Sequence, residues 1–233
     1  MKILALDSSA VVGSVALCED SRMVAHYTLC TGNTHSQTLL PMIESVLKSA
    51  EWEISDLDLF AVSQGPGSFT GVRIGIATVK GLAFGKNIPC AGVSTLEALA
   101  YNLRYYNGII CPVMNARRAQ VYNALFSCEN GVLTRLCPDR AISIAELDAE
   151  LTTMDQPIYL VGDGYDITLA ELEKTTVVSV PEELRHQSGY SVALCGLAAY
   201  QRGEAVDDTA LAPVYLRPSQ AERERNERLA KNE

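Results

Sequence analysis

Apolar residues in this chain fall into short continuous runs alternating with stripes of helical period. Ile3-Leu4-Ala5-Leu6 is a buried-strand run that stops at the polar turn Asp7-Ser8-Ser9. Gly13 to Cys18 and Met23 to Leu29 predict two further strands, joined by a turn around Glu19-Asp20-Ser21. Ser36 to Ala50 then changes period, with Leu39, Ile43, Val46 and Ala50 on one helical face. Pro41 sits near its start as a first-turn proline or a kink. Leu59 to Ser63 predicts a strand running into Gly65-Pro66-Gly67-Ser68, and a helix follows from Thr70 to Phe84. Ile88 to Val93 is a short strand, and Ser94-Thr95-Leu96-Glu97 has capping-box spacing for a third helix.

The pattern then begins again. Ile109 to Met114 predicts a strand ending in the polar turn Asn115-Ala116-Arg117-Arg118. Gln120 to Phe126 and Val132 to Leu136 follow, with Asn130-Gly131 as the hairpin signal. Ser143-Ile144-Ala145-Glu146 opens a helix, and Ile158 to Val161 leads into Gly162-Asp163-Gly164, the counterpart of the first glycine loop. A helix at Ile167–Leu172, a strand at Thr176–Val180 and a helix at Ser191–Gln201 complete the set. Each half reads strand, strand, strand, helix, strand, helix, strand, helix. The chain is therefore an internal duplication, with a boundary near Asn107-Gly108. Strands alternating with helices give an α/β class of mixed sheets covered by helices. The expected units are an N-terminal lobe of residues 1–107, a C-terminal lobe of 108–216 and a charged tail of 217–233.

Composition narrows the function. The 233 residues are 48% hydrophobic and 20% charged, which excludes intrinsic disorder. No run approaches the ~20 apolar residues of a membrane span, and the four apolar residues before Asp7 are too few for a signal peptide. A soluble, cytoplasmic protein without membrane association is the expectation. The seven cysteines are scattered, never in C-x-x-C spacing, and fit buried free thiols. A net charge of -9 argues against unaided nucleic-acid binding. Basic residues are dense only from Arg217 to Lys231, where Glu224–Arg228 and Glu227–Lys231 predict a solvated helical or frayed tail.

Two features stand out. The strand–glycine loop–helix junction could cradle an anion on backbone N–H groups. Asp7, Ser8, Ser9, Gly65, Gly67 and Ser68 are its candidate residues, yet no Gly-Lys-Ser or Gly-Lys-Thr follows, and Lys80 is a helix away. The second feature is the helix from Thr70, which carries Gly71, Gly75 and Gly81 inside it and Gly85 at its end. Three interior glycines cost roughly 3 kcal/mol relative to alanine. Val72, Ile76, Val79 and Ala83 form its core stripe, while the opposite side holds Thr70, Ile74, Ala77, Thr78, Gly81 and Gly85. That uncharged face suits close approach of another helix, from this chain or from a partner. Leu40 and Leu47 widen the apolar stripe of the preceding helix in the same sense. Catalytic constellations are absent by spacing: His26, His35 and His186 are isolated, and no G-x-S-x-G elbow occurs. No cofactor, metal site or catalytic residue is expected.

The run Ser63-Gln64-Gly65-Pro66-Gly67-Ser68-Phe69-Thr70-Gly71-Val72-Arg73-Ile74-Gly75 resembles the signature of the bacterial TsaB (YeaZ) family. Ile3 to Ser9, His35-Ser36-Gln37 and Ser94 to Ala100 match its pattern as well. The resemblance is close over the first ~100 residues and rests on layout and length beyond them. It implies a duplicated actin-like, sugar-kinase (ASKHA) fold. It also implies a role in making threonylcarbamoyladenosine, the tRNA modification beside the anticodon. In that system TsaD carries the metal and transfers the threonylcarbamoyl group to adenosine N6. TsaB pairs with TsaD as a heterodimer, the ATPase TsaE joins through the complex, tRNA is met only via the complex, and the free protein is expected to form a homodimer. Catalytic relatives of the fold use an Asp-x-Gly-type turn after the first strand of each half. Here the turns are Asp7-Ser8-Ser9 and Asn115-Ala116-Arg117, without glycine or a second carboxylate, and TsaD's paired histidines are missing. A scaffold without its own active site fits these departures. The competing class is an actin-like ATPase or kinase with an atypical nucleotide site, and a metallopeptidase fails for lack of ligands.

Overall fold

The structure, a computed structural model, describes residues 1–217. Its first half runs β1 (Lys2–Asp7), β2 (Gly13–Glu19), β3 (Arg22–Leu29), α1 (His35–Ala50), β4 (Leu59–Gly65), α2 (Phe69–Ala83), β5 (Cys90–Ser94) and α3 (Thr95–Tyr101). The strands form one sheet in the order β3-β2-β1-β4-β5. β1 meets β2 antiparallel and β4 parallel, and β4 meets β5 parallel. Alternation along β1 sends Leu4 and Leu6 to one face and Ile3 and Ala5 to the other, so both faces need cover. The helices α1 and α2 cover the first face, where Leu39, Ile43, Val72, Ile76 and Val79 meet Leu4, Leu6, Phe60 and Val62. Pro41 is the seventh residue of α1, so the carbonyl of Gln37 lacks its helical donor there.

The second half runs β6 (Gly108–Arg117), β7 (Gln120–Asn123), β8 (Phe126–Glu129), β9 (Val132–Arg135), β10 (Arg140–Ser143), α4 (Ile144–Leu151), β11 (Ile158–Val161), α5 (Tyr165–Glu171) and α6 (Gly189–Gln201). The sequence predicts one strand over Gln120–Phe126; the structure divides it into β7 and β8. Both pair antiparallel with β6 in one unbroken register, from Gly108↔Cys128 to Asn115↔Val121. Their interruption falls opposite Pro112, which has no N–H to offer a ladder. Local groups take over: Asn123 Nδ2 donates to the Pro112 carbonyl at 3.0 Å and Leu125 N–H to Cys137 Sγ at 3.2 Å. β9 and β10 line the outer edge, and β11 lies parallel on the far side of β6. The order of the first sheet is thus repeated, which is the duplication expressed in hydrogen bonds. The predicted strand at Thr176–Val180 shrinks to a single parallel bridge, Tyr159↔Val178. Its approach is already committed, because Glu173, Lys174 and Thr175 donate their N–H groups to the Asp148 carboxylate, each at 3.0 Å.

The last helix of each half packs on the other half's sheet. From α3, Leu96 and Leu99 meet Ile110, Met114 and Phe126. From α6, Val192 and Ala193 meet Ile3, Ala5, Ala16 and Leu59, and a Cβ on Gly196 would lie 2.4 Å from that of Ala61. Residues 205–217 also return to the first half: Val206 bridges Cys90, Leu211 enters the α1–α2 core, and Val214 N–H donates to the Gln64 carbonyl. Separate folding of residues 1–107 is therefore not to be expected. Among the described residues no helix is long and apolar enough to cross a membrane.

The helix α2 explains two of its three interior glycines by contacts within the chain. A Cβ on Gly71 would lie 2.0 Å from the Ser8 carbonyl oxygen, and one on Gly75 2.6 Å from Ser8 Oγ. Gly81 meets nothing within 4 Å. Gly71→Ala should therefore cost about 2 kcal/mol by overpacking, whereas Gly81→Ala should add about 0.8 kcal/mol. Opposite shifts of the urea-unfolding midpoint check this. Asp148, 4% exposed, supplies a second test. Burial would raise its carboxyl, but the Thr175 side chain and the three N–H groups outweigh it and hold the group below its ordinary value. A depressed folded-state pKa stabilises above the unfolded value and is lost as pH falls through the folded one. Asp148→Ala should cost about 3 kcal/mol at neutral pH, and the penalty should shrink in unfolding curves taken below about pH 4.

Candidate functional site

The first candidate is the junction of β1, β4 and α2. Asp7 ends β1 fully buried, with Oδ1 accepting from Ser9 N–H (2.8 Å) and Ser9 Oγ–H (2.6 Å), and Oδ2 from Ser63 Oγ–H (2.5 Å). Burial raises the Asp7 carboxyl, and the hydrogen bonds from Ser63 and Ser9 oppose that shift. Ser8 Oγ–H donates to the Gly71 carbonyl at 2.9 Å. The glycine loop closes on the same turn: Ser68 N–H donates to the Ser9 carbonyl at 2.7 Å, and Gly71 N–H to Ser68 Oγ at 3.2 Å. A Cβ on Gly67 would lie 2.5 Å from the Ser9 carbonyl, and one on Gly65 2.4 Å from the Val214 carbonyl. The structure brings all six predicted residues together, but as a self-satisfied knot in which glycines admit neighbouring backbone. The Ser68 and Gly71 amides, which an anion would need, are spent inside the chain.

Between the two sheets lies a cleft of 710 Å³, lined among others by Ser9, His35, Gly67, Phe69, Met114, Asn115, Tyr122, Asp163 and Tyr215. His35 sits in the first turn of α1 and its Nε2 lies 2.6 Å from the Ala10 carbonyl, a contact that ties α1 to the loop after β1. Asp163 opens toward the cleft. Its side chain stays exposed to solvent, yet crowding by the surrounding atoms and the Asp7 charge push its carboxyl up to about 6 against the N–H groups of Asp163 and Asn115. Among the described residues no three of His, Cys, Asp and Glu converge on a point that a metal ion could occupy. Burial pushes the Cys18 and Cys111 thiols to about 12 and Cys90 to about 11, so none of these is poised as a nucleophile. Ser14 Oγ lies 2.8 Å from His26 Nε2, but it is fully buried and accepts the Gly189 N–H at 2.9 Å. That pair pins α6 to β2 and β3 and offers no access to a substrate.

The second candidate is the outer face of α2. Thr70, Ala77, Gly81 and Gly85 are exposed, and Thr78 returns its hydroxyl to the Ile74 carbonyl at 2.8 Å. The helix's charges are drawn aside by the C-terminal segment. Lys80 Nζ donates to the carbonyls of Thr209 and Leu211, both at 3.0 Å, and Arg73 Nε donates to Tyr215 Oη at 2.7 Å. Leu40 of the adjacent α1 is 49% exposed and extends the apolar face. Two predicted members need correction. Leu47 is only 8% exposed and belongs to the α1–α2 core, because the sheet and helices bury more of α1 than one stripe suggests. Ile74 is half-buried against the same core. Phe84, which closes α2 with 78% exposure, is not singled out by the helical spacing. The spacing carries the helix through Phe84, whereas the backbone turns there and leaves the ring exposed. The Ser94 spacing also gives only half a capping box: Ser94 Oγ accepts the Glu97 N–H at 3.2 Å, while the Glu97 carboxylate pairs with Arg135 at 3.3 Å.

Two mixed sheets of matched order, each last helix crossed over, and a central cleft define the duplicated actin-like, sugar-kinase (ASKHA) class. A solved structure titled YeaZ from Pseudomonas aeruginosa superposes with a TM-score of 0.76 at 29% identity, covering 92% of this chain and 99% of that one. The ethanolamine utilization protein EutJ from Carboxydothermus hydrogenoformans, at 12% identity and a TM-score of 0.51 over 84% of this chain and 90% of that one, shares the fold alone. In sequence, residues 30–225 match the family described as "TsaD: tRNA N6-adenosine threonylcarbamoyltransferase". The tRNA threonylcarbamoyladenosine biosynthesis protein TsaB of Bacillus subtilis (strain 168) is 34% identical over 225 residues, 95% of this chain and 96% of the relative. The TsaB protein of Escherichia coli (strain K12) is 41% identical over 135 residues, 57% of this chain and 58% of the relative. The chain belongs to the TsaB (YeaZ) family.

The Asp7 knot makes its own prediction. Asp7→Asn keeps an acceptor for the Ser9 donors and removes a buried charge, so it should fold with unchanged or higher thermal stability at neutral pH. Asp7→Ala orphans buried donors and should cost about 2–3 kcal/mol. Equal losses in both variants, read from thermal unfolding, would show that the carboxylate's charge itself is needed.

Proposed function

We propose that this chain is a non-catalytic subunit of threonylcarbamoyladenosine biosynthesis. It supports a TsaD-type transferase, which moves the threonylcarbamoyl group to N6 of the adenosine beside the tRNA anticodon. Membership of the TsaB family carries the reading, and the closed Asp7–Ser68 knot agrees with it, since the turn after β1 is occupied by the chain itself. TsaD is the direct partner, with TsaE and tRNA joining through the complex, and a homodimer forms when the partner is absent. Docking, with TsaD or with a second copy, uses the uncharged outer face of α2 together with Leu40 of α1 and Phe84.

That face is built for close approach. Gly81 leaves open space, Ala77 adds one methyl, Lys80 and Arg73 are held toward the C-terminal segment, and Phe84 offers a large apolar ring at the edge. Buried aromatic anchors beside small residues are what a helix–helix interface requires.

The test separates docking from folding. Gly81→Leu fills the space a partner helix needs, and Ala77→Glu places an unpaired charge there; both should melt within a few degrees of wild type. Each should weaken TsaD binding at least tenfold by calorimetry, a loss of about 1.4 kcal/mol or more, and lose support of tRNA modification. Ile76→Asp, on the core stripe, should fail to fold. Unchanged affinity in both folded variants would place the docking site elsewhere.

A further inference from the structure

The mouth of the cleft has a chemistry that the docking reading does not use. Phe69 and Tyr215 stack with ring centroids 4.7 Å apart, and the Arg73 guanidinium lies 3.8 Å from the Phe69 centroid. The following residues carry the surface across to the second sheet, where an Arg217 guanidinium N–H donates to the Ala116 carbonyl at 3.4 Å. Ala116 leads into the turn Arg117-Arg118-Ala119, whose φ values of 64°, 57° and 54° put three successive non-glycine residues in the left-handed region. Such backbone costs energy and persists where the surrounding structure imposes it, commonly at functional sites. Arg117 of this turn lines the cleft, and Arg118, next in the chain, is exposed.

Arginines gather at this rim. Elsewhere Arg22, Arg135, Arg140 and Arg202 are paired with carboxylates, while Arg104 and Arg185 stand singly over tyrosine rings. Among the described residues, Arg73, Arg118 and Arg217 have no carboxylate within ion-pair distance. Several arginines gathered by stacked rings, on a chain of net charge -9, make a local concentration of positive charge. The floor has the opposite character, with Asp163 facing the cleft and Asp7 buried behind it. A triphosphate seated deep in the cleft would meet those acids. A nucleic-acid strand crossing the mouth keeps its phosphates on the arginines and can place an unpaired base against Tyr215 or within the 710 Å³ cleft.

We propose that the rim formed by Arg73, Tyr215, Arg217 and the Arg117–Arg118 turn is a contact surface for single-stranded RNA. This rests on the tRNA-modification reading above and gives this chain, not only its partner, a share of the RNA contact. Two or three phosphates give weak, salt-sensitive binding, so the free chain holds RNA at low ionic strength and releases it at physiological salt.

The probe is a short unstructured fluorescein-labelled RNA, followed by anisotropy against the full chain at low ionic strength. Wild type should bind. Arg118→Glu should weaken binding about tenfold and reduce the salt slope by roughly one. Tyr215→Ala should weaken it five- to tenfold with little change in slope, as loss of a stacking platform does. Arg22→Glu, on the far edge of the first sheet, should leave it unchanged. Absence of wild-type binding, or equal losses in Arg22→Glu and Arg118→Glu, would overturn the proposal. So would displacement of the RNA by an equal concentration of AMP, which would make the site a mononucleotide pocket. Gly81→Leu, assayed in parallel, should lose TsaD but keep RNA. TsaD binding that survives in a chain without RNA affinity would sink the rim proposal and leave the functional reading intact.

Discussion

The close approach of α2 to the turn after β1 governs most of what this chain can do. Ser8 touches the helix through its carbonyl at Gly71 and its hydroxyl at Gly75, and Ser9 takes the Ser68 N–H. Two glycines are needed because any Cβ would enter the Ser8 backbone or hydroxyl. The same contact consumes the amides and hydroxyls that a phosphate would use. The turn after β1 is thereby locked by hydrogen bonds within the chain.

The consequences spread outward. With α2 seated so deeply, its apolar stripe is buried on the sheet and its opposite side faces outward. The C-terminal segment then draws Lys80 and Arg73 toward itself. A helix that would otherwise carry two cations over its surface presents alanine, threonine and glycine instead. One side of the junction thus carries the proposed docking face, and the other holds Arg73 and Tyr215 at the mouth of the cleft. The proposed RNA rim and the proposed partner face share α2 but not the same residues.

Much of this was legible in the sequence. The duplicated order of elements could be read because buried strands and amphipathic helices have different periods, and each half repeats that change. The outer stripe of α2 followed from angular spacing alone. What failed was whatever depended on distant residues. Pro112 breaks the pairing of a strand twelve residues away, and the Asp148 carboxylate captures the segment that would have been the last strand. Leu47 is buried by a layer whose depth no single-helix pattern encodes. The exchange of α3 and α6 between sheets, and the return of Tyr215 to Phe69, are tertiary facts without a local signature. Arg117 and Arg118 were visible only as part of a polar turn, since left-handed backbone at Arg117-Arg118-Ala119 leaves no mark on residue type.

The central claim is that the chain supports the chemistry without performing it. The direct measurement is threonylcarbamoyl transfer to unmodified tRNA, with ATP turnover followed in the same samples. The samples are the chain alone, purified TsaD and TsaE proteins alone, and the three combined. The account predicts no transfer and no ATP turnover by the chain alone, and transfer that depends on its presence in the mixture. Steady ATP turnover by the isolated chain that persists through purification and disappears in Asp7→Ala would contradict it, and would establish an atypical nucleotide site in the cleft.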